Sequence, residues 1–151
     1  MTYVGVALPM FAIWELAQLP LYTIWEQQGA QASLWAALHC TIGDAVIAFL
    51  TFAGALAWAA HARALNSVKG LAVIVLLLGV LVTALIEVLS TQWLGRWAYG
   101  PLMPVEPLFG IGLSPLAQWI VVPAAALFLL RRRLAQAMLV ISPAAASDPH
   151  E

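Results

Sequence analysis

Four long apolar runs constrain this chain more than anything else in it. A segment that crosses a membrane as a helix needs about 20 mostly apolar residues, and runs of that order lie near Val4–Trp25, Ser33–Ala60, Gly70–Thr91 and Ser114–Leu130. Lipid offers no water to satisfy a backbone, so only helices and closed barrels span it, and unalternating runs of this length predict helices. The chain is 64% hydrophobic and 9% charged, against roughly 25% charged in a soluble domain. The predicted fold is therefore all-α: an integral membrane bundle of four antiparallel helices, one domain over residues 1–141. Residues 142–151, which include His150, have little to bury and are expected to form a disordered cytoplasmic tail.

Orientation follows from the positive charges. Arg63 and Lys69 lie between the second and third runs, and Arg131, Arg132 and Arg133 close the fourth. Only Arg96 falls on the other side. Positive residues stay in the cytoplasm, so both termini are expected inside, with the chain a multi-pass protein of a bacterial inner membrane. No Lys or Arg precedes the first run, so it is expected to be kept as a span rather than cleaved as a leader. A net charge of −1 gives no basic surface for nucleic acid. The single cysteine, Cys40, excludes an internal disulfide and any Cys-x-x-Cys metal or redox motif.

The first two connections, Glu26–Ala32 and His61–Lys69, are short. The third, near Gln92–Leu113, runs just over 20 residues and contains Trp93, Trp97 and Tyr99, then Gly100-Pro101-Leu102-Met103-Pro104-Val105-Glu106-Pro107. A connection of that length is often a lid or binding loop. It is too apolar for water and too rich in Pro and Gly for one helix, so it is expected to fold over the outer end of the bundle. A plainer role for its aromatic residues is an interfacial belt. Glu106 is expected in water, or at the cavity if the loop folds inward.

The spans also carry polar groups. An ionisable side chain costs about 3 kcal/mol at the centre of a membrane helix on insertion scales, and by default marks a functional site. At about 1.5 Å per residue, Glu15 comes out near mid-depth in the first span. Gln18 and Tyr22 follow it on one face at i+3 and i+7. The second span brings His39 and Asp44. The third brings Glu87, with Thr83, Ser90 and Thr91 on its face, and the fourth brings Ser114 and Gln118. All fall in the outer half. Unpaired in lipid each would be costly, so they are expected to face inward and meet. His39 and Asp44 sit about 140° apart around an ideal helix. They border one cavity from different sides, or only one of them belongs to it.

Each residue also has a plainer reading. Glu15, Glu87, Asp44 and His39 could bond between helices as structural glue. Tyr22, Trp14, Trp25 and Trp35 could be anchors or packing, and Cys40 a small packing residue. Pro20 could merely end a helix, or kink it and free a carbonyl.

Two chemistries suit such a set. One is proton transfer on a lipophilic ligand, with Glu15 as acid, His39 or Glu87 as base and Asp44 next to them. Gln18, Tyr22, Trp97, Tyr99 and Gln118 would then contact the ligand, and isomerisation, cyclisation or hydrolysis are the reactions in view. The other is metal binding by His39, Glu15 and Glu87, for which no established ligand spacing is present. One span histidine is too few for a bis-histidine haem, and no cofactor is assigned. A third reading is an accessory subunit of a larger membrane complex, its seven tryptophans facing a partner.

The residues Trp14-Glu15, Gln18-Leu19-Pro20-Leu21-Tyr22, His39, Gly43-Asp44, Trp97-Ala98-Tyr99, Met103-Pro104, Gly112-Leu113-Ser114-Pro115-Leu116 and Gln118-Trp119 make the chain similar to a group of small bacterial four-span membrane proteins. That resemblance implies no activity. More distantly, the architecture resembles the EXPERA group of four-helix membrane proteins, which includes sterol isomerases. Glu15, Gln18 and Pro20 carry this similarity, with Gly43-Asp44 and with Trp119 ahead of Pro123. The spacings depart from that group's pattern, and Gln118 stands where an Asn is expected. Membrane-embedded acids in that group handle a proton or bind an amine, so the resemblance implies the proton-transfer reading and names no substrate.

Overall fold

A computed structural model describes residues 2–61 and 68–141, with side chains up to residue 137. Arg63 and residues 142–151, with the expected tail, lie outside the described residues. The described chain is helical and forms no strand, only two isolated bridges, Tyr22 to Tyr99 and Val105 to Gly112. The helices are α1 (Tyr3–Gln18), α2 (Ile24–Gln27), α3 (Gly29–His61), α4 (Val68–Val88) and α5 (Leu113–Ile141). A 3-10 turn, Leu19–Leu21, follows α1, and a π turn, Leu89–Trp93, follows α4. Four helical stretches, Tyr3–Leu21, Gly29–His61, Val68–Trp93 and Leu113–Ala137, are long and apolar enough to cross a membrane.

Two boundaries differ from the expectation. The first span does not run unbroken to Trp25. Pro20 has no N–H to give to a helix, and the chain leaves the 3-10 turn with Tyr22 extended (φ −113°, ψ 147°). Tyr22 is therefore not the i+7 member of the Glu15–Gln18 helical face. The expected first loop is also largely absent. Gly29, at φ +77°, takes the left-handed turn that side chains resist, and α3 begins there rather than at Ser33.

The helices form a ring in the order α1, α3, α4, α5, with α1 closing against α5. Each contributes a buried stripe at helical spacing. On α1 the stripe is Tyr3, Ala7, Phe11, Glu15 and Gln18, and on α4 it is Leu71, Val75, Gly79, Thr83 and Glu87. Both begin apolar and end polar. The stripe of α3 is small throughout: Ser33, Ala37, Thr41, Ala48, Thr51, Ala55 and Ala59. Lipid removes the hydrophobic drive between helices, and small residues let backbones approach for van der Waals contact.

The bundle is thus divided along its length. Near Lys69 and Arg131 the interior is apolar, made of Tyr3, Ala7, Phe11, Ala55, Leu71, Val75, Val122, Ala126, Leu127 and Leu130. At the opposite end, which carries residues 94–112, the interior is polar. Trp119 sits at the boundary, 1% exposed, with its ring 5.1 Å from that of Phe11. It lies flat on Gly79, where an added Cβ would fall 2.2 Å from Trp119 Cε3.

The 94–112 segment is tied to the end of α1 through its backbone. Gly100 N donates to Leu21 O at 2.7 Å and Thr23 N to Ala98 O at 3.0 Å. Its far end meets α5, where Leu113 N donates to Pro104 O at 2.8 Å.

Candidate functional site

The polar half of the bundle encloses a cavity of about 290 Å³. All four long helices line it, together with Tyr22, Ile24, Arg96 and Trp97 from the connections. Glu15 and Gln18 come from α1, His39, Cys40, Gly43 and Asp44 from α3, Thr83 and Glu87 from α4, and Gln118 and Trp119 from α5. His39 and Asp44, set apart around α3, therefore border the same space from different sides.

Two hydrogen-bond networks form opposite walls. The first joins α1, α5 and α3. Trp14 Nε1 donates to Ser114 Oγ at 3.3 Å, and Ser114 Oγ donates to Gln18 Oε1 at 2.8 Å. Gln18 Nε2 donates to Glu15 Oε1 at 2.9 Å and to Gln118 Oε1 at 3.4 Å. Gln118 Nε2 then donates to Asp44 Oδ2 at 2.8 Å, and Trp119 Nε1 to Asp44 Oδ1 at 3.2 Å. The Glu15 and Asp44 carboxyls also interact directly. Two glutamines suit this place because each amide both gives and accepts, so one side chain passes the bonding on.

The second network joins α4 to the loop. Glu87 Oε2 accepts from Tyr99 Oη at 2.5 Å and from Trp97 Nε1 at 3.4 Å. Tyr99 Oη accepts in turn from Gly112 N at 2.9 Å. Burial pushes the Tyr99 phenol up, and its bond to Glu87 adds to that, so it stays a donor. Tyr99 is not among the residues that line the cavity; its hydroxyl holds Glu87.

Apart from the contact between the Glu15 and Asp44 carboxyls, the bonding partners of the three acids among the described residues are neutral: Gln18, Gln118, Trp119, Tyr99 and Trp97. Glu15 and Glu87 are each 6% exposed. His39 differs from both. It lines the cavity but lies at its exposed rim, with no hydrogen-bond partner among the described residues. Among these residues, no three of His, Cys, Asp and Glu gather closely enough to hold a metal ion. The set His39, Glu15 and Glu87 is thus spread around the walls rather than focused on a point.

Glu106 takes no part in the cavity. Its carboxyl accepts from the backbone N–H groups of Leu108 (2.8 Å), Phe109 (2.5 Å) and Ile111 (3.3 Å), closing a turn at the surface.

No family model, curated protein or solved structure matches the chain. What the site does must be read from its chemistry.

Three features of the site escaped the sequence reading. Arg96 lines the cavity and is the only Lys or Arg among the described residues to do so; its charge alone marked it as a loop residue. Trp119 bonds Asp44, which a tryptophan in an apolar run does not announce. Thr83 was placed on the face of Glu87 but carries a further peculiarity. The helix threonines Thr41, Thr51 and Thr91 turn their hydroxyls back onto a carbonyl four residues earlier, at 2.7–2.8 Å. The Thr83 hydroxyl does not. It is buried at the cavity with no partner among the described residues.

Proposed function

We propose that this protein binds a lipophilic ligand in the polar cavity and moves a proton on it, as an isomerase, cyclase or hydrolase would. The observation that supports the reading is the convergence of three carboxyls from three helices, with no cationic bonding partner among the described residues, on one cavity between apolar walls. Desolvating a carboxyl costs several kcal/mol when nothing repays it. Helix packing alone would be met more simply by apolar side chains. Neighbouring carboxyls in a site of low dielectric are the arrangement that lets one group hold a proton while another accepts one.

In this reading Glu15 and Asp44 form an acidic pair held by Gln18, Gln118 and Trp119. Glu87 is the acid on the opposite wall, oriented by Tyr99 and Trp97. His39 stands at the exposed rim of the cavity, where it borders the ligand. Lys69 and Arg131–Arg133 mark the cytoplasmic end of the bundle, so the cavity opens towards the outer half of a bacterial cytoplasmic membrane.

Native mass spectrometry of the chain, extracted gently from its own membrane, tests this. The expected result is a reproducible small added mass that is lost in Glu15→Gln while the helical spectrum is kept. A stoichiometric, protein-sized added mass that survives Glu15→Gln would replace the reading with that of an accessory subunit, its polar cluster serving as interface glue.

A further inference from the structure

The cavity has a side opening. Gly43 and His39 of α3 and Ile86 of α4 line it, and yet all three are exposed on the flank of the bundle. A Cβ built on Gly43 meets nothing within 4 Å. Ala36, Cys40 and Ile47 continue the α3 edge. From Ala36 to Ile47 that edge is about 16 Å long at ~1.5 Å per residue. Over the polar end of the bundle, by contrast, the 94–112 segment is tied down onto residues 21–23. The slot therefore lies between two membrane-crossing helices and faces sideways, where a bilayer presents acyl chains rather than water.

The volume limits what enters. A cavity of about 290 Å³ equals roughly ten water molecules at ~30 Å³ each. That accommodates a head group and the first carbons of a tail. The remainder of a lipid must extend out of the cavity, and the slot provides one apolar exit. The lining also selects the head. Three acids and one rim arginine face the space, and an anionic head would add a fourth acid where like charges interact strongly. Carboxyl oxygens are acceptors, so they call for a donor. The unpartnered Thr83 hydroxyl, on a side chain 6% exposed, supplies one more polar contact.

We infer that the cavity is loaded from within the bilayer, through the slot between α3 and α4, by a single-chain lipid whose uncharged head donates hydrogen bonds, such as a long-chain alcohol. The inference rests on the lipophilic-ligand reading above and names its route and its ligand class.

The test uses two photoreactive probes with identical tails, one ending in a hydroxyl and the other in a carboxylate. Each is added to membranes holding the full chain, and labelled peptides are read by mass spectrometry. The alcohol is expected to label residues of 36–47 and 83–87 at least five-fold more than the acid does. Gly43→Leu, which fills the slot, is expected to cut that labelling at least five-fold. Gly54→Leu, also in open space but away from the cavity, should leave it unchanged. Labelling at lipid-facing Phe128 and Leu129 should not respond to any of these changes.

Equal cavity labelling by acid and alcohol would overturn the head class and leave the cavity reading standing. Alcohol labelling that is indifferent to Gly43→Leu would overturn the side entry. Labelling of Phe128 and Leu129 with none in the cavity, by either probe, would sink the inference and the lipophilic-ligand reading together.

Discussion

Trp119 shows how much can depend on a single hydrogen atom in a packed membrane helix. Its indole N–H holds Asp44, and its ring closes the cavity from the apolar half below. Both depend on Gly79, because any Cβ there would overlap the ring at 2.2 Å. The ring has nowhere to go, being buried against Phe11. Overpacking a tight interior costs about 1–3 kcal/mol. Gly79→Ala is therefore expected to lower stability by about that much in detergent unfolding, and to loosen the Asp44 wall as Trp119 is displaced. Unchanged stability would show that α4 can move away from α5 at no cost. From the sequence, Gly79 is one small residue in a run of valine and leucine. Nothing local says that it faces a tryptophan forty positions away. The opposite holds for Glu15 and Gln18, whose shared face follows from three-residue spacing alone.

At the scale of elements, the apolar runs disclosed their helices because length and hydropathy are properties of the run itself. Their ends were harder to read. Pro20 and Gly29 act through the backbone, and whether a proline bends, ends or merely decorates a helix depends on what the next residues can bond to. Here Leu21 and Thr23 find partners in Gly100 and Ala98, which lie far along the chain. The side of α3 that His39 faces was likewise beyond a helical wheel, since it depends on how α3 is rotated against its neighbours.

The turn at 106–111 is an element that carries its own test. Desolvation raises the Glu106 carboxyl, but the N–H groups of Leu108, Ile111, Phe109 and Gly110 together outweigh it and hold the group below the usual carboxylate range. A lowered folded value means the order it lends is complete above the ordinary value of 4.5 and fades as pH falls through the folded one. Amide exchange at 108–111, corrected for its intrinsic pH dependence, is expected to lose protection on acidification through that window. Glu106→Gln should remove the pH dependence. Protection that persists in acid would mean that the Glu106 backbone bonds, from Gly110 N at 3.1 Å and to Ile111 O at 2.9 Å, hold the turn unaided.

For the whole molecule, the clearest expectation concerns direction. In a Cys40→Ser background, Leu102→Cys in the loop is expected to react with a membrane-impermeant maleimide on intact cells. Ala137→Cys is expected to react only after permeabilisation. The reverse pattern would turn the cavity towards the cytoplasm and transfer the positive-inside argument to residues that do not obey it. The division into an apolar and a polar half was partly legible, because depth along a helix can be counted from its ends. Which acids would touch was not, since Glu15, Asp44 and Glu87 meet through helix rotations that no single run encodes.

That division has a consequence for the energetics of the cell. Below the acids, Phe11, Val75, Val122 and Leu127 pack the interior, and the buried hydroxyls there stand apart: Thr51 donates back to the Ile47 carbonyl, and the Tyr3 hydroxyl has no partner, so among the described residues no hydrogen-bonded chain continues from the acids. The cavity is blind at that end. If the acids work as proposed, acid–base chemistry in the cavity borrows and returns protons on one face of the membrane only, so a cell could hold many copies without short-circuiting its own proton gradient.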